Sequence, residues 1–284
     1  MASNGDAALR AMTDDGGFRV ITVRTTDMVR AAIEAQSARG EVARWFGELL
    51  TGAVLFRETM APSLRVQCIL QGAGGKGQLV ADSMPGGGTR GLVRLPKNTK
   101  LTLTGGALLQ MMRTLPNGEL HKGVVQVPNS GSISDGLMAY MQTSEQVVSM
   151  ISVGCRMAGH EVAAAGGYLV QLLPELEENV LAVMTERLGD FESIDGLLDG
   201  VAASPDTLMA ELLYGMSFTR LNETPVRFDC HCNQVRVMAS LASLPRDEIA
   251  DLTRDGEVLE LSCDYCGKVY RVGPASLKGL LDVT

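Results

Sequence analysis

The sequence predicts an α+β chain in three parts: a sheet-rich N-terminal core domain with helices, a helical linker, and a small C-terminal domain. Three observations lead there. Short strand-like runs punctuated by glycine dominate from Leu64 to Val127, helical spacing alone follows Pro174, and four of the six cysteines lie beyond Phe228. A length of 284 residues exceeds that of one ordinary domain. With 45% hydrophobic and 20% charged residues, the chain can bury a sizeable core and falls outside the disordered class.

Residues 1–17 are polar and contain glycine, and read as a flexible N-terminal tail. The core, 18–174, then opens with a strand, Phe18 to Thr25. Phe18, Val20 and Thr22 fall on one of its faces and Ile21 and Val23 on the other. Thr26 and Asp27 offer an N-cap to a helix in which Met28, Val29, Ala32 and Ile33 recur at helical spacing. A second helix fits Val42 to Phe56, with Val42, Trp45, Phe46, Leu49, Leu50 and Val54 on one broad apolar face. Strands follow at 64–71, 77–82, 91–95, 101–103, 107–115 and 122–127. A hairpin is expected at Leu115-Pro116-Asn117-Gly118, because Pro presets the first turn torsion and Asn-Gly tolerates positive φ. Residues 134–146 return to helix, and 147–153 and 167–173 to strand, the last ending at Pro174.

The linker, 175–225, reads as helices only. Glu175, Glu177 and Glu178 suit a first turn, Val180, Val183, Met184 and Leu188 share a face, and Ser204-Pro205-Asp206 starts a helix before Leu208, Leu212 and Leu213. Glycines at 189, 196 and 200 cut it into pieces, each marginal alone. In the C-terminal domain, 226–284, two short helices are expected over 235–252 and a hairpin over 258–272.

The formal net charge of −8 lacks the clustered Lys and Arg that counterion release from nucleic acid requires. From Val226 onward seven Lys or Arg meet nine Asp or Glu, so a nucleic-acid-binding zinc ribbon is not favoured. The N-terminus shows no secretory signal pattern and no apolar run reaches eighteen residues, so neither export nor a membrane partner is expected. Six cysteines then point to a reducing compartment, the cytoplasm. No arrangement of His121 or His160 suggests a hydrolase triad, and Gly72-Ala73-Gly74-Gly75-Lys76-Gly77 lacks the spacing of a phosphate loop and reads as a turn. No enzyme is expected.

The most specific signal is Cys230-His231-Cys232, thirty residues, then Cys263-Asp264-Tyr265-Cys266-Gly267. Four soft thiolates in two close pairs supply the closed tetrahedron that one zinc ion needs. Gly267 suits a knuckle that turns back over the metal at positive φ. So small a domain has little core, and metal would supply much of its folding free energy. Zinc thiolates also react with oxidants, and Cys-X-Cys places two sulfurs close enough to be joined. A permanently closed structural zinc site and a thiol-disulfide oxidoreductase pair at Cys263 and Cys266 are the alternatives. The oxidoreductase is disfavoured because strand, not helix, follows Cys266. His231 reads as solvated; Cys68 and Cys155 read as buried small hydrophobes.

Several segments together resemble the bacterial redox-regulated chaperones of the thirty-three-kilodalton heat-shock protein, or chaperonin, family. They are Gln71-Gly72 with Gly74 and Gly77, Arg90-Gly91, Tyr140 with Ser144-Glu145-Gln146, Ala165 through Pro174, and both cysteine pairs. The likeness runs from about Phe18 to the end. Gly75, where a proline is common, and Asn233-Gln234-Val235, in place of a more charged stretch, depart from the pattern without touching a ligand. The resemblance implies an ATP-independent holdase, an inactive zinc-bound monomer when reduced. On oxidation Cys230 would join Cys232 and Cys263 would join Cys266. Zinc would leave, the linker would unfold, and the chain would dimerise and bind unfolding client proteins. Hand-over to an ATP-dependent chaperone system is implied as well.

Overall fold

The computed structural model describes residues 5–115, 117–173, 178–191, 193–198 and 204–282. Pro116, Pro174, Glu175, Glu177 and Gly200, each used in reading the sequence, lie outside them. The chain divides into two compact units, Met1–Asp229 and Cys230–Thr284.

In the first unit the elements run β1 (Ala7–Thr13), β2 (Phe18–Arg24), α1 (Thr26–Gln36), α2 (Gly40–Glu58), β3 (Val66–Gln71), β4 (Gln78–Ser83), β5 (Gly88–Arg94), β6 (Leu108–Thr114) and β7 (Leu120–Gln126). They continue with α3 (Ile133–Tyr140), β8 (Ser149–Ala158), β9 (Glu161–Leu172), α4 (Glu178–Asp190), α5 (Pro205–Leu212), β10 (Phe218–Pro225) and β11 (Arg227–Phe228). Two sheets result, ordered β10-β1-β2-β9-β8 and β11-β5-β4-β3-β6-β7, antiparallel throughout except for the β11–β5 pair.

Helix α2 runs through the main core, against β3 and β4 of one sheet and β8 and β9 of the other. It is therefore buried around most of its circumference, not along one face as its periodicity alone suggested. Gly47 and Gly52 make this possible. A Cβ at Gly47 would stand 2.6 Å from the Cys155 Sγ, and one at Gly52 would stand 2.5 Å from a Leu137 methyl. These glycines let β8 and α3 close on the helix, at a cost in helix propensity of about 1 kcal/mol each.

The expected tail is corrected by β1. Ala7–Thr13 pairs with both β2 and β10, and Ala8 and Ala11 are fully buried. Just before it, Asp6 reaches α1: its carboxylate accepts the Met28 N–H at 2.7 Å and an Arg24 Nη1–H at 2.8 Å. This cap replaces the local one expected from Thr26 and Asp27: the helix already begins at Thr26, and Thr25, at the N-cap position, makes no side-chain cap. Burial outweighs those partners and raises the Asp6 pKa to about 6. A carboxyl whose folded pKa lies above its unfolded value holds its proton more tightly when folded. Its contribution is thus most favourable at low pH and is lost as pH rises from about 4 to about 6. Asp6→Asn is expected to flatten that part of the stability profile by an amount of the order of 3 kcal/mol. Urea midpoints at pH 4, 5, 6 and 7 check this; an unaltered slope would assign the titration to another group.

The linker carries a second correction: Phe218–Pro225 is a strand, not helix, and adds to the edge of the first sheet beside β1. Most of its side chains are exposed, which removed the apolar alternation that reveals a strand, and its Pro225 is tolerated at an edge. Residues 226–229, expected in the C-terminal domain, belong to the first unit: Val226 is buried in the main core and Asp229 N–H bonds to the Thr89 carbonyl. Residues 101–103 form no strand, although Leu101 and Leu103 are buried as plugs in the core.

The β2 faces divide as their sequence indicates. Ile21 and Val23 enter the main core, while Phe18 and Val20 join Leu9, Ala11, Tyr168 and Val170 in a second apolar layer. Met184, Ile194, Leu198, Leu208, Met209 and Leu212 of the linker cover that layer. Val183, expected on the same face as Met184, is instead 49% exposed. Three polar contacts fix the cover: Thr22 Oγ1–H donates to the Pro205 carbonyl at 2.7 Å, Tyr168 Oη–H to that of Phe191 at 2.6 Å, and Arg187 Nη1–H to that of Leu212 at 3.0 Å.

The second unit contains α6 (Gln234–Ala242), α7 (Arg246–Arg254), a hairpin of β12 (Leu259–Ser262) and β13 (Val269–Val272), and α8 (Pro274–Asp282). Among the described residues its buried apolar cluster is small, Leu241, Val272 and Leu277 with partly buried neighbours, and Ile249 and Tyr270 of the same unit are buried as well. Helix α8, absent from the sequence reading, supplies Leu277.

Candidate metal centre

Two loops bring the cysteines together. Cys230 and Cys232 precede α6, whose N-cap Asn233 accepts the Arg236 N–H at 2.9 Å. Cys263 and Cys266 sit in the loop between β12 and β13. There the Cys263 N–H meets the Lys268 carbonyl at 2.9 Å, the Gly267 N–H meets the Cys263 carbonyl at 2.8 Å, and Gly267 has φ 70°. The glycine thus takes the left-handed conformation expected of it, at no Cβ cost.

All four sulfurs lie within 4.8 Å of one another. Cys230 Sγ stands 3.6 Å from Cys263 Sγ, and Cys232 Sγ stands 3.4 Å from Cys266 Sγ. A tetrahedron of metal–sulfur bonds about 2.3 Å long has edges of about 3.8 Å, so the cluster fits a four-thiolate metal site in donor type, number and scale. The group can hold a metal ion. His231 lies between two of the cysteines but is exposed and outside the cluster.

Surroundings differ from one sulfur to the next. Burial pushes the Cys232 thiol up, but the Tyr270 hydroxyl, donating at 3.0 Å, and the neighbouring sulfurs outweigh it and bring the thiol down to about 7. Burial, with protons shared among the sulfurs, pushes Cys266 up to about 12 and also raises Cys230. Donation to Cys232 raises the Tyr270 phenol in turn. Tyr270 was read from the sequence only as a strand residue. Its contact depends on hairpin register, in which Leu261 faces Tyr270.

Cys68 and Cys155 are both buried in the first unit, as their positions suggested. The Cys68 thiol donates to Met111 Sδ at 3.4 Å, and burial raises its pKa, which suppresses the reactive thiolate. The glycine-rich segment at 72–77 is a turn, with Gly74 at φ 66° and Gly77 at φ 83°. Among the described residues, no helix is long and apolar enough to cross a membrane.

Fold and site together define an α+β protein in which a two-sheet core carries a helical cover, followed by a small unit organised around four thiols. The chain belongs to the Hsp33 protein family, whose model matches residues 6–273. It is 31% identical to a 33 kDa chaperonin of Thermus thermophilus, with 96% of this chain and 86% of that protein covered. It is 30% identical to the 33 kDa chaperonin of Syntrophotalea carbinolica, with 97% and 99% covered. The crystal structure of a 33 kDa chaperonin from Thermotoga maritima superposes with a TM-score of 0.84 over 98% of each chain at 24% identity, a likeness of fold.

Proposed function

We propose that the chain is a molecular chaperone of the holdase type, a binder of unfolding proteins and not an enzyme, switched by oxidation of Cys230, Cys232, Cys263 and Cys266. The observation that carries the reading is the meeting of four sulfurs within 4.8 Å in a unit with almost no core of its own. Membership of a family whose relatives are named 33 kDa chaperonins supports the chaperone part.

In the reduced state the four thiolates would hold one zinc ion, which when bound cross-links the two loops. Oxidation then acts on the cysteines. A thiolate attacks a peroxide, gives a sulfenic acid and releases hydroxide. A second thiolate displaces hydroxide from that sulfur, so two electrons pass from the sulfur pair to the oxidant and a disulfide remains. Joining Cys230 to Cys232 and Cys263 to Cys266 would leave no thiolate to hold the metal. The second unit, supported by little else, would lose its structure. The linker helices, short and dependent on packing, would then expose the layer formed by Phe18, Val20, Tyr168 and Val170 to client proteins. We assign the switch to the cytoplasm, with a monomer when reduced, a homodimer when oxidised, and clients passed to an ATP-dependent chaperone system.

The test is to count zinc and free thiols on one sample before and after hypochlorite, alongside suppression of aggregation of a thermally unfolding client. One zinc and four thiols should be lost as suppression appears. Zinc and thiols that survive the oxidant would identify a purely structural metal site, and suppression that does not rise with oxidation would remove the switch.

A further inference from the structure

We propose that Tyr270 is a positioning residue of the thiolate cluster. By donating its hydroxyl hydrogen to the Cys232 sulfur, it restrains that sulfur's attack on peroxides and so sets how much oxidant is needed to open the site. The inference rests on the switch described above and adds a residue outside the four cysteines.

The geometry is specific. Tyr270 Oη–H donates to Cys232 Sγ at 3.0 Å across a separation of 38 residues. The tyrosine is only 6% exposed. A buried phenol must find a partner for its polar end, and here the partner is a cluster sulfur. The ring has a second polar neighbour. Lys268 Nζ lies 5.4 Å from its centroid, where the cation draws on the π face and leaves the hydroxyl a stronger donor. Both residues sit on or beside β13, so the hairpin that presents Cys263 and Cys266 also aims a donor at the opposite pair.

The chemical consequence follows from what a hydrogen bond does to a thiolate. Donation draws electron density out of the sulfur lone pair, the same pair that must attack the peroxide oxygen as the O–O bond breaks and hydroxide departs. Intrinsic nucleophilicity of a thiolate changes about threefold for each unit of thiol basicity. Donation also spreads the negative charge that four thiolates concentrate, which favours retention of a cation.

The measurement is made on the full-length, reduced, zinc-loaded chain. Release of zinc to a chromogenic chelator is followed under limiting hydrogen peroxide for the wild type and Tyr270→Phe, which removes the hydroxyl and keeps the ring. Release is expected about threefold faster in the variant. A parallel readout uses cobalt in place of zinc: loss of the donor should move the sulfur-to-cobalt charge-transfer band to longer wavelength, which a merely structural tyrosine would not do. Site-specific incorporation of 3-fluorotyrosine at Tyr270, a stronger donor of nearly the same shape, should slow release and move the band the opposite way. Equal release rates and an unmoved band in both proteins would overturn the proposal, as would effects of the same sign from both substitutions. A wild type that never held zinc or never released it to peroxide would overturn the switch itself, an outcome distinct from a Tyr270→Phe variant that merely matches the wild type.

Discussion

Replacing Cys263 and Cys266 together by Ser is expected to abolish tight zinc binding and to unfold the second unit while the first remains intact. The expected size follows from how little else supports that unit. Its buried apolar residues among those described are Leu241, Ile249, Tyr270, Val272 and Leu277. At about 1.5–3 kcal/mol for each fully buried large side chain, they cannot offset an ordering cost of about 1–2 kcal/mol for every backbone residue fixed. A structural zinc ion contributes about 10–16 kcal/mol at neutral pH, and serine, whose hydroxyl does not ionise there, is a poor replacement for a thiolate. Zinc content after dialysis and amide spectra of the full-length variant check the prediction. Retention of one tightly held zinc would contradict the ligand assignment. His231→Ala is the control: an exposed side chain outside the cluster should leave zinc content unchanged.

That site was legible in the sequence because its chemistry is local. Two pairs of cysteines at short spacing, with Gly267 behind the second, mark a candidate ligand set before any fold is known, and the fold brings the four sulfurs together. What completes it is not local. Tyr270 becomes a donor only because the hairpin register sets Leu261 opposite it, and nothing in a valine-tyrosine-arginine run announces a contact with Cys232.

The fold divides in the same way. A strand rich in β-branched residues, such as β2, declares itself, and so do the two long helices. β1 does not, because Ala-Ala-Leu-Arg-Ala-Met-Thr has weak strand propensity; neighbours on both edges and packing on both faces make it one. The β8–β9 hairpin extends well beyond the sequence expectation for a related reason. The expected strand begins only at Gly167, yet a Cβ at Gly166 or Gly167 would come within 2.8 Å of a neighbouring strand's carbonyl oxygen, Val23 or Ser152. Close sheet packing demands the very residues that conceal the strand. β10 is hidden by its exposure, since an edge strand facing water needs no apolar alternation.

The same accounting gives the second large effect. Leu212→Asp is expected to produce a chain that suppresses client aggregation while fully reduced and still zinc-bound. Leu212 is completely buried, in the layer shared by Phe18, Val20 and Tyr168. An unpaired carboxylate there costs several kcal/mol, and the structure can avoid that cost in one of two ways. Unfolding the first unit would forfeit the main core, to which α5 contributes nothing. Undocking α5 forfeits the contact of this eight-residue helix with the sheet, the bonds from Thr22 and Arg187 and the Arg220–Asp206 ion pair, so undocking is the smaller loss. The apolar sheet layer is then exposed without any change at the cysteines. Suppression should reach at least about half that of the oxidised wild type, with one zinc and all six thiols still present; exposing a layer of this kind is what a docking surface for unfolded chains requires. Leu221→Asp, at a position 52% exposed on β10, should have no effect. If trypsin shows the linker of Leu212→Asp to be loose and aggregation nevertheless proceeds unchecked, the covered sheet layer is not where clients bind.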